Sequence, residues 1–105
     1  MALELTEHNE AGLITVTAHG EVDLNSSPQL RDAILDAVQT CSTGVQVNLH
    51  HVAYMDSSGV ATLVEGLQAT TKNKHSFSLL RPSESVLKVL QLARLDSVFT
   101  IEGTA

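Results

Sequence analysis

The sequence predicts an α/β fold: a mixed sheet of four to five strands, opened by an N-terminal hairpin, with three helices packed on it in the order ββαβαβαβ. Three observations carry that expectation. Short runs of alternating or β-branched apolar residues recur along the chain, stripes of helical period lie between the later ones, and the first two runs are separated only by a turn. A helix between two strands needs a crossover, which favours parallel pairing, whereas a turn gives an antiparallel hairpin. With 105 residues, 43% of them apolar and 17% charged, residues 1–105 suit a single domain around one core without disulfide or metal staples.

The elements follow in order. Ala2 to His8 alternates, with Leu3 and Leu5 on one face; Asn9 to Gly12 supplies a turn, and Leu13 to Ala18 is rich in β-branched residues. Ser27 and Pro28 offer an N-cap and a first-turn proline for a helix whose stripe is Leu30, Ala33, Ile34, Ala37 and Cys41, ending near Ser42 to Gly44. Val45 to Leu49 alternates as a strand that Val52 to Met55 prolongs. A second helix is expected just past Gly59, with Val60, Leu63, Val64 and Leu67 inward and Thr62, Glu65 and Gln68 off the stripe. Thr70 to His75 reads as a turn and Phe77 to Leu80 as a short strand. Pro82 and Ser83 open a third helix with Val86, Val89, Leu90 and Ala93 buried and Leu87 and Leu92 broadening the stripe; Ser97 to Ile101 is a last strand, and Glu102 to Ala105 a tail.

Composition narrows the function classes. A net charge of −6 with six scattered Lys and Arg argues against a nucleic-acid binder. No apolar run approaches the ~18 residues of a membrane span, and the acidic N-terminal stretch is unlike a secretory signal, so a cytoplasmic protein is expected. Cys41, the lone cysteine, reads as a small buried apolar residue. His50 and His51 are adjacent and lack metal-ligand spacing, so they read as two strand-end residues with one facing solvent; no metal or cofactor is expected.

The stretch YMDSSGVATLVEGL at 54–67 places an acid, two hydroxyls and a glycine where a strand meets a helix N-terminus. The first backbone N–H groups of a helix lack partners and the macrodipole there is positive, so Asp56, Ser57 and Ser58 suit both a plain cap and a site presented for chemistry. Local physics leaves the two readings open. A hydrolase elbow needs Gly two residues before the Ser, where Met55 or Asp56 stands, and no phosphate-binding glycine-rich loop is present; the protein is expected not to be an enzyme.

The GEVD at 20–23, VNLHHVAYMDSSG at 47–59, the helix VATLVEGL and LARLDSVFTI at 92–101 together resemble a STAS domain of the bacterial anti-sigma factor antagonist type. The resemblance covers nearly the whole chain. It implies a STAS fold and a regulatory protein that binds an anti-sigma Ser/Thr kinase and is switched off by phosphorylation on the first serine of the DSSG turn, Ser57, with Ser58 the lesser candidate. It also implies a partner surface containing Asp23, Asp56, Ser57, Ser58 and Gly59. Phosphorylation adds about −1.5 to −2 charges at pH 7, which Asp23 and Asp56 would oppose, so release follows from a local charge change. Two features depart from that pattern: only Glu102 to Ala105 follow the last strand, and Val60 is followed by Ala61. In both, the chain is also similar to the STAS subunit of Mla-type phospholipid ABC transporters, where the same turn would dock on the ATPase, and a STAS module of a stress-signalling complex is a third possibility.

Overall fold

The computed structural model describes residues 3–103. Its elements are β1 (Glu4–Glu10), β2 (Leu13–Val22), α1 (Ser27–Thr40), β3 (Gly44–Met55), α2 (Ser57–Lys72), β4 (Ser76–Leu80), α3 (Glu84–Leu92) and β5 (Thr100–Glu102). They form one five-stranded sheet in the order β1-β2-β3-β4-β5, antiparallel between β1 and β2 and parallel thereafter. The mixed α/β architecture expected from the sequence is the one observed. Because each crossover advances to the next neighbour in one direction, right-handed connections place all three helices on the same face of the sheet. Alternation along the strands agrees: Ile14, Val16 and Ala18 of β2, Val45, Val47 and Leu49 of β3, and Phe77 and Leu79 of β4 are buried. They meet Leu30, Ile34 and Ala37 of α1, Leu63 of α2, and Val86 and Leu90 of α3 in one core. Thr15, Thr17, Gln46 and Asn48 alternate with these and line the other, open face.

The hairpin turns on Ala11 and Gly12, both at positive φ (54° and 87°), and the Gly12 amide donates to Asn9 Oδ1 at 3.2 Å. Two central residues of positive φ match the twist of the flanking strands.

Several boundaries differ from expectation. Helix α2 starts at Ser57, not past Gly59, because Asp56 caps it, and it runs through Thr70 to Lys72 instead of turning at Thr70. Thr62 is buried, its hydroxyl donating to the Ser58 carbonyl at 3.0 Å, so it lies inside the packed surface rather than off it. In α1, Ser26 occupies the N-cap position and Ser27 is the first helical residue, itself buried. Helix α3 ends at Leu92, so Ala93 is its cap and exposed, and Leu92 is 80% exposed; neither joins the stripe. The last strand contains only Thr100–Glu102; Ser97 to Phe99 form a turn that still buries Phe99, and Glu102, expected in the tail, pairs with Leu80. Ala2, expected to open the first strand, and Thr104 and Ala105 of the tail lie outside the described residues.

Candidate functional site

The two sequence motifs end at the same edge of the molecule. Strands β2 and β3 run parallel, so the loop after Val22 and the turn after Met55 emerge together at their C-terminal ends, the usual place for sites in parallel sheets. The Asp56 amide donates to the Val22 carbonyl at 3.1 Å and joins the two loops directly. This places Asp23, the next residue after Val22, beside the DSSG turn.

Asp56 is the N-cap of α2. Its Oδ1 accepts from the Ser58 amide at 2.9 Å and from the Ser58 hydroxyl at 2.5 Å, and its carbonyl accepts from the Gly59 and Val60 amides. Ser58 is therefore half-buried and committed to the cap. Ser57 is different: it is exposed at the first helical position, and its hydroxyl forms no hydrogen bond among the described residues. Gly59 is buried because the helix start lies hard against the strand ends; a Cβ there would come within 2.6 Å of Met55 Cγ and 2.8 Å of Val22 Cγ1.

Asp23 is engaged in its own loop. Its Oδ1 accepts from the Asn25 amide (2.9 Å), the Ser26 amide (3.0 Å) and the Ser26 hydroxyl (3.1 Å), and Ser26 Oγ also donates to the Glu21 carbonyl. The Ser26 amide, outweighing partial desolvation, holds the Asp23 carboxyl below its ordinary pKa. Asp23 thus organises the turn into α1 at the same edge as the DSSG turn.

Two apolar side chains at this edge carried no weight in the sequence reading. Leu24, next to Asp23, is 76% exposed, and Tyr54, two residues before Asp56, is 49% exposed. The signal for Leu24 was present: a leucine in an otherwise polar loop that belongs to no periodic stripe. Cys41, by contrast, is buried as expected, with its Sγ 3.3 Å from His75 Nδ1, and burial pushes its thiol pKa up, away from thiolate chemistry. Among the described residues no cluster of His, Cys, Asp and Glu forms a metal centre, and no helix is long and apolar enough to cross a membrane.

The fold and the paired motif loops define a recognisable class. A family model described as the STAS domain matches residues 2–105, and the chain belongs to that family. Within it, the chain is 31% identical over 90 residues to the anti-sigma-B factor antagonist of Staphylococcus epidermidis, spanning 85% of this chain and 83% of the relative. Among solved structures it superposes on the anti-sigma factor antagonist SpoIIAA in its unphosphorylated form with a TM-score of 0.78 at 26% identity, covering 97% of this chain and 89% of that one. The Bacillus cell fate determinant SpoIIAA in the phosphorylated form superposes at a TM-score of 0.72 and 25% identity, covering 97% and 92%.

Proposed function

We propose that this protein is a non-catalytic cytoplasmic regulator of the anti-sigma factor antagonist kind, acting as a single domain over residues 1–105, and that Ser57 is the residue its partner kinase phosphorylates. The observation that carries the assignment is the division of labour in the DSSG turn: Asp56 occupies the Ser58 hydroxyl, while Ser57 is exposed and its hydroxyl has no hydrogen-bond partner among the described residues. An acceptor must reach a kinase active site without dismantling the helix start, and Ser57 meets that condition where Ser58 does not. The likeness to SpoIIAA, solved in both phosphorylated and unphosphorylated forms, supports the same reading.

The partner is an anti-sigma Ser/Thr kinase, and it docks on Asp23, Asp56, Ser57, Ser58 and Gly59, with Leu24 and Tyr54 as the apolar contacts beside them. Unmodified protein binds this kinase and frees the sigma factor. A phosphate on Ser57 adds about −1.5 to −2 charges next to Asp56 and at the edge that also carries Asp23, and the helix N-terminus tolerates it without unfolding. Burying that charge in the interface is costly, so the complex dissociates.

Capture from lysate of the native cells on immobilised protein, read by mass spectrometry, tests the partner. Recovery of a Ser/Thr kinase with anti-sigma activity is expected; recovery of a transport ATPase and permease instead would overturn the assignment and favour a docking role in lipid transport. Incubation of the purified protein with ATP alone tests the non-catalytic part, which appreciable turnover would contradict.

A further inference from the structure

The parallel ladder between β2 and β3 is not regular. Thr17 pairs with Asn48, but the next partners are His19 with His51; Gly20 pairs with Val52, then Glu21 with Tyr54. At each step β3 carries one residue more than β2, which is a bulge. The burial pattern shows the consequence: Val47 and Leu49 are buried two apart, but the next buried residue is Val52, three further on. The extra residue lets consecutive histidines lie together near the open side of the sheet. His19 and His51 stack in parallel, ring centroids 4.6 Å apart and planes within 5°, and His50 meets His51 edge-on at 4.9 Å.

We propose that His19, His50 and His51 form a proton-sensitive seam in the β2–β3 ladder, which loosens under mild acid and weakens the two strand ends that carry Asp23 and Asp56. Stacked parallel imidazoles coexist easily while neutral and repel once both are protonated. Among the described residues, the buried Nδ1 of His50 has no hydrogen-bond partner. Around the seam stand Glu4 of β1, the register partner of His19, Glu21 further along β2, Tyr54 along β3, and Arg81 just after β4. Partial desolvation first, then repulsion from His19, His50 and Arg81, holds the His51 pKa below the ordinary value of 6.5. The sign follows: as pH falls through about 6.5 the unfolded chain takes up a proton that folded His51 still refuses, so stability drops, and the loss levels off once folded His51 is protonated too.

Thermal unfolding of the full chain at about pH 7.5 and about pH 5.5 tests this, comparing wild type with His51→Gln and His19→Gln, alongside an NMR titration of the histidine ring protons. Wild type is expected to lose more melting temperature between the two conditions than either variant. The His51 ring is expected to titrate below about 6.5 and to move upward in His19→Gln. Equal losses in all three proteins, or a His51 ring that titrates at or above the ordinary value, would overturn the proposal. Should a variant fail to fold, the wild-type ring titration alone decides.

Discussion

Asp56 holds Ser58 twice, through the amide at 2.9 Å and the hydroxyl at 2.5 Å, and leaves its neighbour Ser57 outside the cap. The pair separates two roles within the DSSG turn: Ser58 completes the cap, and Ser57 faces solvent. An Asp56→Ala protein loses the acceptor for both donors, so a loss of about 1 kcal/mol, within a range of roughly 0.5–2, is expected in urea unfolding. Ser57→Ala, which removes no hydrogen bond among the described residues, should unfold close to wild type.

Gly59 is the point where α2 rests on the strand ends. A Cβ would collide with Met55 Cγ at 2.6 Å and with Val22 Cγ1 at 2.8 Å, and the valine methyl cannot easily retreat in a close-packed core. Overpacking costs about 1–3 kcal/mol, against a gain of up to ~1 kcal/mol from better helix propensity. A net loss of about 1–2 kcal/mol in Gly59→Ala is expected by chemical denaturation. Because the displaced residues carry Asp56 and Asp23, the variant should also bind the partner more weakly than its stability alone explains.

Leu63 is completely buried, facing the sheet from the middle of α2. Leu63→Ala should cost about 2–5 kcal/mol as a cavity opens. Leu63→Asp buries an unpaired charge and should leave the protein unfolded by circular dichroism.

Two carboxylates link stability to acid at a lower pH than the histidine seam. Arg31 grips Glu65 between α1 and α2, its Nε at 2.9 Å from both carboxylate oxygens and Nη2 at 2.8 Å from one, and this lowers the Glu65 pKa. Asp23 is lowered chiefly by the Ser26 amide. A depressed folded pKa means stability that is complete above the unfolded carboxylate range and lost as pH falls through the folded value. Unfolding curves taken below about pH 4.5 should therefore be less acid-sensitive in Asp23→Asn and Glu65→Gln than in wild type. The Glu65 effect should shrink in high salt, since this pair is half exposed and screened.

Much of this fold was legible in the sequence because the signals were periodic. The stripes Leu30, Ile34, Ala37 and Val60, Leu63 placed α1 and α2, and the alternation Val45, Val47, Leu49 placed β3. What escaped depends on tertiary context. The two bulges in β3 arise from its pairing with β2, and nothing in HHVAYM itself shows where the register slips. Leu92 and Ala93 continue the apolar period of α3, but they are its last residue and its cap, and both are exposed. At the site, the motif positions Asp56, Ser57, Ser58 and Gly59 were legible. Which hydroxyl Asp56 holds was not, since both serines can reach a cap and only the geometry distinguishes them. Asp23 came to the turn only through the family resemblance, and its role as the anchor of its own loop through Ser26 was not legible.

The central claim is that charge at Ser57 switches partner binding while the fold persists. The most direct measurement is the affinity of the captured kinase for wild type and for Ser57→Asp, with circular dichroism of both proteins as the control for folding. A well-folded Ser57→Asp protein that binds at least about tenfold more weakly, a difference of ~1.4 kcal/mol, is the expected result. Equal binding by the two proteins would contradict the account.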